Sequence, residues 1–244
     1  MPRYFLELSY KGTAYKGFQF QPNVPTIQGE VENAFLTILK QQIKFTTSSR
    51  TDAGVHARQN FFHFDMETHL SSGILYNLNA LLPPDISLKN LFEVSSEQHS
   101  RFHATSRVYR YYIYRNKNPF LVDRAWYYPF NLDKDKLQQA ADLLLRHTDF
   151  TSFSKRNTQT HSFICDIQNS CWYTEGDCLI YQVEANRFLR GMVRALVGTM
   201  LKVGRSLISL TDFEEIIKRK DCSFADFSTP SQGLFLEAVR FPFL

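Results

Sequence analysis

Arg50-Thr51-Asp52-Ala53-Gly54-Val55-His56-Ala57 is the stretch that decides how the rest of the chain is read. It lies between two strand candidates, Ile43 to Thr47 and Phe61 to Met66, and so reads as a loop. Gly54 gives that loop freedom to turn sharply. Asp52 is the candidate catalytic carboxylate within it. A carboxylate that attacks as a nucleophile must stay ionised while shielded from water. Burial alone raises its pKa and a nearby guanidinium opposes the shift. Arg50 or Arg194 can supply that charge. A bare Arg-x-Asp is more often a surface turn, so the specificity lies in the octet as a whole.

Outward from the octet, strand patterns and amphipathic helix patterns are mixed along the chain. Tyr4 to Tyr10 reads as a strand followed by a turn at Lys11-Gly12-Thr13. Thr26 is placed to cap a helix whose apolar face is Ile27, Val31, Phe35 and Ile38. Ser71 or Ser72 opens a second helix that Pro83-Pro84 stops. Ile86 to Val94 and Val108 to Tyr114 read as strands. Asp133 to Arg146 reads as a helix with Leu137, Ala141, Leu144 and Leu145 on its apolar face. Ser162 to Trp172 and Leu179 to Ala185 are expected to pair across Glu175-Gly176-Asp177. Phe188 to Val203 reads as a helix with Arg187, Arg190 and Arg194 on one flank. A short helix near Thr211 to Lys218 and a strand from Leu234 to Phe241 complete the chain. Strands and helices do not alternate strictly, which predicts an α+β fold with largely antiparallel sheets. Two halves are expected, residues 1–115 and 116–244.

The 244 residues carry 28 Lys and Arg against 24 Asp and Glu, a net charge of +4. That excess is small, so its distribution matters more. Arg101, Arg107, Arg110, Arg115, Lys117 and Arg124 share one stretch with a single acid, Asp123. Arg187, Arg190, Arg194, Lys202 and Arg205 share another with none. On charge alone, a polyanion partner and solvated faces are equally good readings. The four cysteines, Cys165, Cys171, Cys178 and Cys222, show neither disulfide-type nor zinc-type spacing. No metal site is expected. With no leader-like or membrane-spanning stretch, a cytoplasmic protein without membrane contact is expected.

The octet resembles the signature of the tRNA pseudouridine synthase A family, and the resemblance continues along nearly the whole chain. Tyr10-Lys11-Gly12-Thr13-Ala14-Tyr15-Lys16-Gly17-Phe18-Gln19 is similar to the family's opening motif. Thr26-Ile27-Gln28-Gly29-Glu30 fits its first helix. Phe102-His103-Ala104-Thr105-Ser106-Arg107-Val108-Tyr109-Arg110-Tyr111 resembles its second catalytic motif. Asp149-Phe150-Thr151-Ser152-Phe153, Asn186-Arg187-Phe188-Leu189-Arg190-Gly191-Met192-Val193-Arg194 and Gly233-Leu234-Phe235-Leu236 match three further blocks.

The resemblance implies two similar ferredoxin-like halves around a largely antiparallel central sheet, with the active-site cleft between them. It implies conversion of uridine to pseudouridine at positions 38, 39 and 40 of the tRNA anticodon stem-loop. No cofactor is required, and a homodimer is expected. Asp52 is then the essential carboxylate, acting covalently or through a glycal-like intermediate. Tyr109 stacks on the target base, Arg194 pairs with Asp52, and Arg50 assists base flipping. Leu234 or Leu236 floors the uracil pocket, although a core role suits either equally well. Several flanking residues depart from the family pattern: Lys11 for Asp, Phe18 for Trp, Ser49 for Gly, and Gln59-Asn60 after Arg58 for Gly-Gln. Thr229-Pro230-Ser231 replaces Ala-Pro-Ala. These departures leave open a paralogue with a shifted RNA target. A non-catalytic RNA-binding protein on the same scaffold and, last, an acid–base hydrolase using Asp52 complete the alternatives.

Overall fold

The computed structural model describes residues 1–71, 73–156 and 160–244. Its strands are β1 (Arg3–Tyr10), β2 (Thr46–Thr47), β3 (His56–Asp65), β4 (Ile86–Val94), β5 (Ser106–Tyr114), β6 (Trp126–Tyr127), β7 (Ile167–Glu175), β8 (Cys178–Ala185) and β9 (Leu234–Arg240). Its helices are α1 (Ile27–Leu39), α2 (Ile74–Leu81), α3 (Lys134–Leu144), α4 (Met192–Gly204) and α5 (Leu210–Arg219). The fold is α+β with mostly antiparallel strand pairs; β9 on β3 and β6 on β5 are parallel. Among the described residues no helix is long and apolar enough to cross a membrane. The chain divides into two compact units, Met1–Thr105 with Phe235–Leu244, and Ser106–Leu234.

In the first unit β1 is flanked by β4 and β3, and β3 carries β2 and the parallel β9. The side-chain alternation of β3 builds two aromatic layers. Phe62 and Phe64 point into one layer with Phe18, Phe35 and Phe45, at ring separations of 4.9 to 5.4 Å. Phe61 and His63 point to the opposite face, where Phe5, Phe241 and Phe243 gather. The Thr26 hydroxyl accepts from the Gly29 N–H and caps α1, which buries Ile27, Val31, Ala34 and Phe35. The second helix begins only at Ile74, after Gly73, and among the described residues no side chain caps it. The carbonyl of Ser71 accepts the Ile74 N–H; Ser72 lies outside the described residues.

In the second unit β8 lies between β5 and β7. Gly176-Asp177 forms the two-residue turn of the β7–β8 hairpin, with Gly176 at φ +55°. Asp133 caps α3 by accepting from the N–H groups of Asp135 and Lys136. Leu137, Ala141 and Leu144 are buried as expected, but Leu145 is exposed, because the helix closes at Leu144. The fourth helix starts at Met192, not Phe188. Gly191 has φ +76°, a left-handed conformation that interrupts a right-handed helix. Arg187 and Arg190 therefore precede α4, and the three arginines do not share a helical flank.

Candidate active site

Residues 48–55 belong to no strand, so their main chain depends on other partners for its position. The Val55 N–H donates to the Asp52 carbonyl at 3.1 Å, closing a turn with Gly54 at φ +78° in its third position, as a type II turn requires. The Phe18 N–H donates to the Thr51 carbonyl at 3.0 Å. The opening motif thus lies directly against the octet. Gly12 donates its N–H to His56 Nδ1 at 3.1 Å, which makes that nitrogen the acceptor of a buried imidazole. The same ring stacks on Phe235 with centroids 4.5 Å apart. Gly17, at φ +113°, brings its backbone against the Thr51 carbonyl. Asp52 is half-buried at the turn and Arg50 is exposed two residues before it.

Of three sequence departures near this loop, Phe18 and Asn60 bond its main chain, whereas Gln59 bonds neighbouring strands. Phe18 is fully buried and packs on Tyr10 and Phe62. Gln59 donates to Glu7 at 2.9 Å and accepts from the Val239 N–H at 3.1 Å, tying β1, β3 and β9 together. Asn60, also fully buried, donates to the Ser49 carbonyl at 2.8 Å and to the Tyr10 hydroxyl at 3.3 Å.

In the second unit, Tyr109 is buried on β5, edge-on to Phe188 at 5.0 Å. Arg194 lies in the first turn of α4 and is half-buried. Its Nε–H donates to the Thr229 carbonyl at 2.6 Å, while the Tyr111 hydroxyl donates to the next carbonyl, Pro230, at 2.7 Å. Burial pushes the Tyr111 phenol far above its ordinary range, and the Arg194 charge opposes part of that shift. The 226–230 segment crosses α4 closely: the Asp226 N–H donates to Thr199 Oγ1 at 3.0 Å. A Cβ on Gly198 would meet Thr229 Oγ1 at 2.5 Å and the Asp226 carbonyl at 2.6 Å. Leu234, at the start of β9, is buried, as is Leu236.

Among the candidates, Asp52 and Arg50 share one loop of the first unit, and Tyr109, Arg194 and Leu234 belong to the second. Sequence reading missed the groups that hold these residues: Asn60 and Tyr10 under the octet, Tyr111 and Thr229 beside Arg194. Asn60 stood out only as a departure from the family pattern.

A family model described as tRNA pseudouridine synthase matches residues 140–242. Curated relatives match end to end. The chain is 40% identical over 244 residues to tRNA pseudouridine synthase A of Parabacteroides distasonis, covering 99% of this chain and 97% of that one. It is 41% identical over 247 residues to the Porphyromonas gingivalis protein of that name, covering 99% and 98%. It is 37% identical over 237 residues to the Bacillus licheniformis protein, covering 95% and 96%. With identity of this level along the full length of both partners, the chain belongs to the tRNA pseudouridine synthase A family.

Proposed function

We propose that this protein isomerises uridine to pseudouridine in the anticodon stem-loop of tRNA, at positions 38, 39 and 40. Its relatives carry the name of a tRNA pseudouridine synthase, which makes the chain an isomerase acting on tRNA. The observation that carries the reading at residue level is the octet loop. It presents a half-buried Asp52 on a hydrogen-bonded turn next to an exposed Arg50. Asp52 is the essential carboxylate: the C1′–N1 bond breaks, the uracil turns, C5 joins C1′, and the proton lost from C5 is balanced by one gained at N1. The base must first leave the stack, which costs a few kcal/mol. Arg50 assists that step by filling the vacated space. Tyr109 stacks on the flipped base, Arg194 provides the countercharge for Asp52, and Leu234 floors the pocket. The basic stretches at 101–124 and 187–205 are suited to phosphate contacts. The enzyme works as a homodimer in the cytoplasm, without a cofactor.

Incubating unmodified tRNA with the purified protein and mapping pseudouridine chemically tests this reading. New pseudouridine at 38, 39 or 40 is expected. Modification confined to other positions would point to a paralogue with a shifted target, and binding without any pseudouridine to a non-catalytic RNA-binding protein.

A further inference from the structure

We propose that Asn60 and Tyr10 are positioning residues that grip the chain on both sides of Arg50, at the Ser49 carbonyl and the Thr51 hydroxyl, and thereby aim Asp52. The inference rests on the reading of Asp52 as the catalytic carboxylate. Asn60, from β3, is 0% exposed, so its amide must find partners within the protein. Its Nδ2 donates to the carbonyl of Ser49 at 2.8 Å and to the hydroxyl of Tyr10 at 3.3 Å. Its Oδ1 accepts the N–H of Phe61 at 2.9 Å, which fixes the orientation of the amide. The Tyr10 hydroxyl, from β1, shares a 2.8 Å hydrogen bond with Thr51 Oγ1. One buried chain of side chains therefore holds residue 49 through its carbonyl and residue 51 through its hydroxyl.

The grip acts on the backbone before Arg50 and not on the side chain there. Among the described residues the buried hydroxyls of Ser48 and Ser49 have no hydrogen-bond partner. Beyond Arg50, the Phe18 N–H holds the Thr51 carbonyl and the Val55 N–H holds the Asp52 carbonyl. Residues 49, 51 and 52 are thus anchored in succession, with Arg50 projecting between them. A displacement of about 1 Å at a reacting group can lower a rate by roughly a hundredfold. Loosening the anchor should therefore act on the chemical step more than on the capture of tRNA.

The test uses Tyr10→Phe, which removes one oxygen, and the pair Thr51→Val and Thr51→Ser, which differ in whether the hydroxyl is kept. Each is measured for kcat and KM on tRNA, with thermal unfolding to establish that the variants fold. Tyr10→Phe and Thr51→Val are expected to lower kcat about tenfold or more while KM stays within about threefold. Thr51→Ser should retain clearly more kcat than Thr51→Val. Asn60→Leu combined with Tyr10→Phe should cost little more than the worse single change, because both break one unit. A folded Tyr10→Phe or Thr51→Val with near wild-type kcat, or a loss confined to KM, overturns the inference. Asp52→Asn is assayed in parallel. If it stays active, the reading of Asp52 fails instead; if it is inactive beside fully active Tyr10→Phe, only the positioning role fails.

Discussion

A Cβ at Gly12 would lie 2.0 Å from the carbonyl oxygen of Val55. Backbone meets backbone there, so no side-chain rotation relieves the clash. The turn after β1 and the octet loop are packed as one surface, further joined by the bond from Gly12 N–H to His56 Nδ1. Gly12→Ala should push these segments apart. A loss of stability of about 1–3 kcal/mol is expected, with a fall in turnover larger than in tRNA affinity. Denaturant unfolding and steady-state kinetics on the same preparation check both.

Arg194 is held to the Thr229 carbonyl by its Nε–H, a donor that lysine cannot place in the same planar fork. Arg194→Lys keeps the charge but loses that geometry. We expect kcat to drop by about ten- to a hundredfold with the fold intact, and Arg194→Met to be worse. Equal activity in all three proteins would remove Arg194 from the chemistry.

His63 gives a pH signature of stability. Burial, together with the charges of His99 and Arg3, lowers its pKa to about 4, while the nearby Asp65 partly opposes them. Its Nδ1 faces both the hydroxyl and the N–H of Ser100. Because the N–H can only donate, this nitrogen must remain unprotonated. The unfolded imidazole titrates near 6.5, so between about pH 6.5 and 4 the unfolded state binds more protons. The contribution of His63 to stability should fall as pH drops through that window and level off below it. His99, whose pKa is also lowered, adds in the same direction. Urea midpoints from pH 7.5 to 4.5 test this; His63→Gln should flatten part of the slope.

The polyanion reading of the two basic stretches predicts salt sensitivity. Affinity for tRNA should fall at least about tenfold between 50 and 200 mM salt. Arg190 is exposed just before α4. Replacing it with Ala should reduce the slope of log affinity against log salt by about one and leave the position of modification unchanged. An unaltered slope would place Arg190 outside the RNA contact.

Much of the fold is legible in the sequence where the signal is local. Thr26 and Asp133 cap helices that their spacing announces, and Gly176-Asp177 marks a hairpin between alternating runs. The octet is legible as a loop up to Val55, because Gly54 supplies the positive φ that its turn needs, but His56 and Ala57 already belong to β3. Non-local features are not legible. Nothing near Leu234 signals that β9 will lie parallel to β3, with Phe235 opposite His56, across some 180 residues of chain. Gly191 looks like one tolerated glycine in a helical run, and only its φ of +76° places the helix start after it. Asn60 shows the same limit at the candidate site. A side chain that bonds a carbonyl eleven residues earlier leaves no periodic trace.

The central claim is that the carboxylate of Asp52 carries out the isomerisation. It is tested most directly by single-turnover pseudouridine formation on tRNA with Asp52→Asn, which keeps size and one carbonyl acceptor but removes the charge and turns the other oxygen into an NH2 donor. The variant should fold with an unchanged unfolding midpoint, bind tRNA, and form pseudouridine at least about a thousandfold more slowly than the parent. Pseudouridine formation by folded Asp52→Asn at a rate near that of the parent would contradict the account.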